Sequence, residues 1–199
     1  MIFEGSGSAI PPVATGRRLL VAGAHQEPDL VTGYLNSYRI LVSDLVVLTM
    51  CEEGTPHAQL RGRIQELKDI PVVAAVLRPR PLAEVAGRRV AYFTTANPVA
   101  HDLLAGHLRS AYEANVAFVS GNLASRDALR RDLDVLPEVD AYLIEIKAAA
   151  IDVVAEAAAE RGVETIFVDN EVLPLPGQPD LDAELRVLAE AASRAPVAS

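Results

Sequence analysis

Short apolar runs alternate with helical segments along the whole chain, and this alternation limits the folds that the sequence can adopt. Continuous runs of Val, Leu and Ala are typical of parallel strands that are buried on both faces. Such runs lie at residues 19–24, 44–50, 71–77, 90–95, 116–120, 140–146 and 163–168. Since segments with helical spacing lie between most of them, we predict an α/β fold in which parallel sheets carry helices on both faces.

A stiff, basic loop, Arg78 to Leu82, divides the predicted elements into two groups. Two of its five residues are prolines, and a new strand begins a few residues later. We therefore predict two domains, 1–82 and 83–199. Within them, helix ends are predicted from an N-terminal cap or a glycine stop at Asn97, Ser125, Gly162 and Asp180.

The chain opens on a pattern typical of a buried strand that ends at a ligand site. Ile2-Phe3 precedes Glu4, and Gly5-Ser6-Gly7 follows. The glycines allow the backbone to approach a ligand, and a carboxylate at a sheet edge suits Mg²⁺ or a phosphorylated substrate. The alternative is a glycine-rich turn whose Glu4 faces water. Because the first residues already have strand character, we expect the sequence to be part of a longer protein.

Charge and cysteine content bound the function. The formal net charge is −9, which argues against a nucleic-acid surface but leaves room for a local arginine pocket. Cys51 is the only cysteine, so an internal disulfide is ruled out and a reducing compartment is expected. We find neither an apolar run of membrane-spanning length nor a signal-peptide pattern, and therefore predict a cytoplasmic protein that does not bind membranes.

Polar residues follow the predicted strands, at the edge where open α/β sheets bind ligands. In the second domain these are Thr94-Thr95-Ala96-Asn97, Ser120-Gly121-Asn122, Glu145-Ile146-Lys147 and Asp169-Asn170; in the first they are Glu4 to Gly7, His25-Gln26, Thr49-Met50 and Arg78-Pro79-Arg80. Several precede helix N-termini, which favour anions. We predict a site for a phosphorylated small molecule.

Each candidate in this set also has a structural interpretation. Lys147 lies where an ammonium group would meet a phosphate, or it pairs with Glu145. His25 is a phosphate contact, a proton carrier or a solvated loop residue. Asn122 and Asn170 are substrate ligands or turn residues.

Two nucleotide-binding motifs are missing from the sequence. It contains no Gly-Lys-Ser/Thr and no Gly-x-Gly-x-x-Gly after a strand, so no familiar loop holds ATP phosphates. His101 and His107 are six residues apart, which places them on different faces of a helix and does not favour a metal site.

Several segments together carry a family resemblance, in the same order along nearly the whole chain. They are residues 2–13, 21–26, 44–50, 77–82, 93–96, 145–154, 160–163 and 168–170. On these segments the chain resembles the cyclic 2,3-diphosphoglycerate synthetases, of which it matches only the C-terminal half.

The resemblance implies an ATP-dependent ligase that forms an intramolecular phosphoanhydride from 2,3-bisphosphoglycerate and releases ADP and phosphate. It implies an incomplete P-loop-type nucleotide domain over 1–82, followed by a smaller three-layer α/β domain. By similarity to P-loop synthetases, Glu4 would face Mg²⁺ or substrate, while Thr49-Met50 and residues 78–81 would lie near the nucleotide base. Lys147, Arg78 and Arg80 would hold anionic groups.

Without the phosphate loop, we expect the chain to be inactive by itself and its first domain to be the less stable one. Phosphoryl transfer depends on positioning and on charge stabilisation that the loop normally supplies. The missing N-terminal half or a separate P-loop subunit would then be its partner. The alternatives are a non-catalytic module that binds a phosphorylated metabolite or a P-loop subunit, and a degenerate remnant without a ligand.

Overall fold

The computed structural model describes residues 1–5, 13–146 and 149–194, and this part of the chain is an α/β protein. Its strands are β1 (Leu19–Gly23), β2 (Leu45–Thr49), β3 (Val72–Pro81), β4 (Arg89–Phe93), β5 (Asn115–Ser120), β6 (Ala141–Glu145) and β7 (Glu164–Pro174). Its α-helices are α1 (Pro28–Thr32), α2 (Tyr34–Val42), α3 (His57–Leu67), α4 (His101–Tyr112), α5 (Arg126–Asp134), α6 (Ile151–Arg161) and α7 (Leu181–Arg194). None of these helices has both the length and the apolar character needed to cross a membrane.

The chain forms two compact units. The first comprises Met1–Leu77 and Val172–Ser199, and the second comprises Arg78–Glu171. The sequence predicts a similar first boundary but keeps everything after residue 82 in one domain, whereas the structure groups α7 with the first unit. Leu175 donates its N–H to the Ala74 carbonyl at 2.9 Å, which joins this last segment to β3.

The first unit contains a parallel arrangement in which β2 lies between β1 and β3. All five residues of β2 are buried, as its continuous apolar sequence predicts. Val46 and Leu48 of β2 pack with Ile40 of α2, and with Leu60 and Ile64 of α3. A core of aliphatic side chains therefore lies on the helix-covered face of these strands.

The predicted helix after β1 is broken into α1 and α2 at Gly33. A Cβ atom at Gly33 would lie 2.5 Å from the carbonyl oxygen of Asp29 in α1, so the backbone at this break requires glycine. The sequence pattern indicated one short helix, because a backbone contact of this kind leaves no periodic signal.

The second unit has a four-stranded parallel sheet in the order β7-β6-β4-β5. Its two faces carry separate cores. Tyr92 packs on the α4 side with Leu104 and Leu108, whereas Phe93 packs on the other side with residues of α5 and α6. This unit therefore has the predicted three-layer architecture.

A β-bulge interrupts the pairing of β4 with β5. Val90 is opposite Val116, but the next residue, Ala91, is opposite Phe118, so Ala117 is an extra residue. Val116 consequently belongs to the α4-side core, and Phe118 packs against the opposite one.

Three of the four predicted helix ends are confirmed. The Asn97 side chain accepts from the Val99 N–H at 3.1 Å, Asp180 accepts from two N–H groups at the start of α7, and Gly162 ends α6 with a φ of 67°. The fourth is confirmed in position only: Ser125 directly precedes α5, but its side chain makes no capping hydrogen bond within the described residues. The Ser125 carbonyl instead accepts the Leu129 N–H at 2.9 Å.

The predicted opening strand is also wrong within the described residues. Met1 to Gly5 are exposed and form no regular structure, and the side chain of Ile2 is 96% exposed. A strand requires a neighbour for its N–H and C=O groups, and no described strand pairs with this segment. Ser6 and Gly7 lie outside the described residues.

Candidate functional site

Polar side chains meet at the carboxyl ends of the strands in the second unit. Thr94 and Thr95 directly follow β4, Glu145 ends β6, and the Glu145–Val168 pair of the β6–β7 register places Asp169 and Asn170 just beyond it. Parallel strands bring these ends to one edge, as the sequence predicts. We call Arg80, Thr94, Thr95, Glu145, Asp169 and Asn170 the carboxyl-edge cluster.

Glu145 is the acceptor that joins this cluster. Its Oε2 atom accepts from Thr94 Oγ1 at 2.6 Å, from Thr95 N at 2.7 Å and from Thr95 Oγ1 at 3.2 Å. Its Oε1 atom accepts from Asn170 Nδ2 at 2.5 Å. The carboxylate thus ties the end of β4 and the middle of β7, which continues to Pro174 instead of ending at the predicted Val168, to the end of β6. The charge strengthens each bond. Tyr92 lies in β4, two residues before Thr94. Burial raises the pKa of Tyr92 far above its usual range, so the Tyr92 hydroxyl remains protonated.

Arg80 supplies a positive charge at the same edge. Its guanidinium Nη2 lies 3.4 Å from Asp169 Oδ2, and both side chains are about half exposed. Asp169 also accepts from the Asn170 N–H at 2.9 Å, which orients the carboxylate. An exposed pair of this kind contributes only about 0–1 kcal/mol, so a multiply charged anion can compete with Asp169 for Arg80.

A second group of titratable residues in this unit was missed by the sequence reasoning. The His107 ring meets Tyr112 edge-on with centroids 5.8 Å apart, and His107 Nε2 is buried without a hydrogen-bond partner among the residues that the structure describes. Burial first, and then the charge of Arg78, lowers the pKa of His107, whereas Glu171 opposes the shift. Burial and Glu171 raise the pKa of Tyr112. The five-residue spacing of His107 and Tyr112 on one helix gave no signal of this contact.

The end of β5 is held by the neighbouring helices. Asp132 Oδ2 on α5 accepts from Ser120 Oγ at 2.5 Å and from Asn122 Nδ2 at 2.8 Å. A Cβ atom at Gly121 would lie 2.6 Å from the Ala96 carbonyl and 2.7 Å from the His101 ring, so only glycine fits there. The Asn122 amide therefore has a partner within the unit, and its role as a substrate ligand stays a prediction.

The predicted residues of the first unit lie at two neighbouring strand ends. Thr49 is buried at the end of β2 and its carbonyl accepts the Ala24 N–H at 2.8 Å. His25 is exposed next to the end of β1, with its ring beside Gly23. Cys51 is buried, its thiol lies 3.3 Å from the Leu48 carbonyl, and burial raises its pKa. The thiol is thus a core group.

The structure does not assemble the other predicted ligands. Glu4 and Gly5 are exposed, and Lys147 lies outside the described residues. No group of three or more His, Cys, Asp or Glu side chains within the described ranges is arranged to hold a metal ion. A single exposed carboxylate does not fit a Mg²⁺ site, so the assignment of Mg²⁺ to Glu4 stays a prediction.

Two family models match the chain in succession. The model described as cyclic 2,3-diphosphoglycerate synthetase, P-loop domain, matches residues 1–78, and that described as cyclic 2,3-diphosphoglycerate synthetase C-terminal domain matches residues 81–171. The carboxyl-edge cluster, apart from Arg80, falls in the second match.

Curated relatives named cyclic 2,3-diphosphoglycerate synthetase match most of the chain. That of Rubrobacter xylanophilus is 53% identical over 97% of this chain and 44% of its own length. Those of Methanothermus fervidus and Methanosphaera stadtmanae are 38% and 33% identical over 85% and 92% of this chain, and 38% and 41% of their own lengths. The chain therefore spans less than half the length of these relatives.

Proposed function

Because the chain belongs to the cyclic 2,3-diphosphoglycerate synthetase family, we propose that it is part of an ATP-dependent ligase that closes 2,3-bisphosphoglycerate into its cyclic phosphoanhydride. The observation that carries the proposal is the succession of the two family matches, which together extend from residue 1 to residue 171. The substrate is the one that the relatives' name indicates. Full activity belongs to the longer protein, of which this chain corresponds to less than half.

The proposed reaction has two steps. An oxygen of one substrate phosphate attacks the γ-phosphorus of ATP, the bond to the bridging oxygen breaks, and ADP leaves. An oxygen of the second substrate phosphate then attacks the substrate phosphorus that now carries the transferred group. Inorganic phosphate leaves and the ring closes, so one ATP is consumed for each anhydride formed. Such transfers depend mainly on positioning and on stabilisation of negative charge.

Arg80 is the residue of the carboxyl-edge cluster best suited to hold a substrate phosphate. Its guanidinium is about half exposed, and the carboxylate that it contacts, that of Asp169, is also about half exposed. In a protein with a net charge of −9, a highly anionic substrate needs such local positive charges. Arg78 and Lys147 are proposed to contribute further charges. Asp169, Asn170, Asn122 and His25 stay candidates for substrate contact.

Glu145 acts as a positioning residue in this proposal. Both carboxylate oxygens already accept hydrogen bonds from Thr94, Thr95 and Asn170, so the group holds its neighbours in place. It holds the Thr94-Thr95 loop in one arrangement beside Asn170. Rigid support of this kind is what a phosphate-positioning edge requires.

The ATP phosphates are proposed to bind elsewhere in the longer protein. The sequence contains no Gly-Lys-Ser/Thr, although residues 1–78 match a P-loop domain. When bound, Mg²⁺ would neutralise the phosphates of ATP, and no step here is assigned to it. We expect the isolated chain to bind ATP weakly and to form no product. The nucleotide-proximal roles of Glu4, Gly5, Ser6, Gly7, Thr49 and Arg78 belong to this proposal.

A second candidate is a non-catalytic module that binds a phosphorylated metabolite. The absence of a phosphate loop from the sequence favours it, because substrate recognition at the carboxyl edge would not require that loop. In this case 2,3-bisphosphoglycerate would bind to the chain but would not be converted.

Phosphorus NMR distinguishes the two candidates. The chain is mixed with the part of the Rubrobacter relative that it does not match, together with ATP, Mg²⁺ and 2,3-bisphosphoglycerate. We expect signals of the cyclic bisphosphoglycerate anhydride, distinct from those of ATP and ADP, only in the mixture. Its formation should be about ten- to hundredfold slower for Arg80→Gln, which removes a charged contact. Arg130→Gln is the matched control, because Arg130 is also an exposed arginine paired with a carboxylate in this unit.

Absence of product from a mixture that does form a complex would contradict the ligase proposal. Binding of 2,3-bisphosphoglycerate to the chain under the same conditions would then support the non-catalytic module. Equal rates for the Arg80 and Arg130 variants would remove Arg80 from the site.

A further inference from the structure

The first turns of α5 and α6 are joined by an ion pair. Arg126 is the first residue of α5, and Asp152 is the second residue of α6. Arg126 Nη1 lies 2.8 Å from Asp152 Oδ2, and Arg126 Nη2 lies 3.0 Å from Asp152 Oδ1. The contact is therefore bidentate, which fixes the geometry of both charged groups. We call Arg126 and Asp152 the α5–α6 bridge.

The position of Arg126 opposes the dipole of its own helix. A positive charge is unfavourable at a helix N-terminus, whereas a negative charge such as that of Asp152 is favourable there. Both side chains of the bridge are about half exposed, so Arg126 does not contribute to a core. The hydrogen bond from Arg126 lowers the pKa of the Asp152 carboxyl group, which keeps the partner ionised. The contact with α6, and not the stability of α5, therefore accounts for an arginine at this position.

Hydrogen bonds connect the start of both helices to the carboxyl-edge cluster. The carbonyl of Leu123, between β5 and α5, accepts from the N–H of Ala150, immediately before α6, at 3.1 Å. The Leu123 N–H donates to the Thr94 carbonyl, also at 3.1 Å, and the Thr94 hydroxyl donates to Glu145 at 2.6 Å. Leu123 and Ala150 are both fully buried. A displacement at the start of α6 is therefore passed to Thr94 through closely packed atoms.

We propose that Arg126 is a positioning residue, which acts through the α5–α6 bridge and Leu123 to keep Thr94 and Glu145 in the arrangement that binds the substrate. This inference rests on the proposed function, in which the carboxyl-edge cluster holds a phosphate of 2,3-bisphosphoglycerate. Both terminal nitrogens of Arg126 contact Asp152, so the role that we assign to Arg126 is indirect. Such a role matters because phosphoryl transfer tolerates little displacement of the groups that orient a phosphate.

The strength of the bridge limits the size of the effect. Exposed ion pairs contribute little free energy, although bidentate arginine–carboxylate pairs are the strongest of them. Loss of the bridge cannot change substrate binding by more free energy than the bridge contributes. We therefore expect Arg126→Gln to raise the KM for 2,3-bisphosphoglycerate about three- to fivefold. The kcat should remain unchanged, because the bridge supports binding of the substrate and not a chemical step. The KM for ATP should also remain unchanged, because ATP is proposed to bind elsewhere in the longer protein.

Steady-state kinetics test the positioning role. The full chain is mixed with the part of the Rubrobacter relative that it does not match, together with ATP and Mg²⁺, and the rate of cyclic product formation is measured at several concentrations of 2,3-bisphosphoglycerate. A merely structural role of Arg126 would reduce the amount of active protein, which lowers kcat and leaves KM unchanged. Arg130→Gln is the matched control, because Arg130 pairs with Asp127 of the same helix. This control should leave both constants unchanged.

Rescue of the bridge shows whether the pair itself is required. Asp152→Asn should raise the KM for 2,3-bisphosphoglycerate as much as Arg126→Gln, since either change removes the same contact. Arg126→Asp combined with Asp152→Arg restores an ion pair between the helices, and should return the KM to within about twofold of the original value. A KM for Arg126→Gln equal to that of the original chain would overturn the proposal, as would a combined variant no better than Arg126→Asp alone.

Amide exchange on the chain alone keeps this inference separate from the proposed function. In Arg126→Gln the amides of Leu123 and Thr95 should exchange about threefold faster than in the original chain. The Asn115 amide, which donates to Arg88 at the amino ends of the strands, should not change. Faster exchange at Leu123 and Thr95 without product in the mixture would refute the proposed function and leave the positioning role intact. Unchanged exchange at these two amides would overturn the positioning role, whether or not product forms.

Discussion

Replacement of Glu145 by alanine tests whether one carboxylate organises the carboxyl edge. The substitution leaves four donor groups without their acceptor: the Thr94 hydroxyl, the Thr95 N–H and hydroxyl, and the Asn170 amide. Thr94 is only 1% exposed, so its hydroxyl is the donor that water reaches least. A buried donor left unpaired costs about 1–3 kcal/mol, and the more exposed donors regain water.

We therefore expect Glu145→Ala to lower the free energy of unfolding by about 2–3 kcal/mol, or the melting temperature by about 4–10 °C for a chain of this size. Urea unfolding followed by circular dichroism measures the loss. Exchange of the Thr95 amide, which donates to Glu145, should accelerate in parallel.

Two further variants separate hydrogen bonding from charge. Asp127→Ala removes an exposed carboxylate that pairs with Arg130 and should change stability by no more than about 0.5 kcal/mol. Glu145→Gln places an NH₂ group in the cluster, and Asn170→Asp in the same chain restores an acceptor for it, so the double variant should be more stable than Glu145→Gln alone. A loss for Glu145→Ala no larger than that for Asp127→Ala would refute the reasoning.

Three further predictions concern other parts of the chain. Gly121→Ala should lower the free energy of unfolding in urea by about 1–3 kcal/mol, because the new methyl group would meet the Ala96 carbonyl. The control is Gly62→Ala, which lies in open space on α3 and should raise that free energy by about 0.5–1 kcal/mol. Equal effects of the two substitutions would contradict the close contact at Gly121. The lowered pKa of His107 means that this residue binds a proton more readily in the unfolded chain. The contribution of His107 to stability is therefore present above the ordinary histidine pKa of about 6.5 and is lost as the pH falls below it. Melting curves at several pH values should show a smaller loss of stability in acid for His107→Phe, and an unchanged loss would exclude this role. Amides of residues 1–82 should exchange faster than those of 83–199, and equal protection would contradict the expectation that the first predicted domain is the less stable one.

The fold was predictable where local sequence determines structure. The continuous apolar runs predict β1 to β7, and Asn97, Gly162 and Asp180 mark helix ends, because these signals act within a few residues. The opening strand was not predictable from Ile2-Phe3 alone, since a strand also depends on a distant partner. The grouping of α7 with the first unit likewise depends on tertiary contacts.

The candidate site was predictable at the level of strand ends. The parallel arrangement brings Asn170 to Glu145 at the end of β6, but Asp169 and Asn170 lie within β7 and not, as was predicted, beyond its end. The partners of these residues were not predictable. The sequence suggested that Glu145 forms an ion pair with Lys147, yet the hydrogen bonds seen at the Glu145 carboxylate come from threonine and asparagine side chains. The contact of Asn122 with Asp132 depends on where α5 packs, which no short-range pattern encodes.

The extra residue in β5 has a consequence at the far end of that strand. Beyond Ala117, every side chain is rotated by half a period, so Ser120 points toward α5 and reaches Asp132. Deleting Ala117 would remove the bulge but leave Ser120 opposite Phe93, so we expect Ser120 to stay on the α5 face and to keep its contact with Asp132. The bulge thus accommodates one extra amino acid while the end of the strand stays on the face of the helix that holds it.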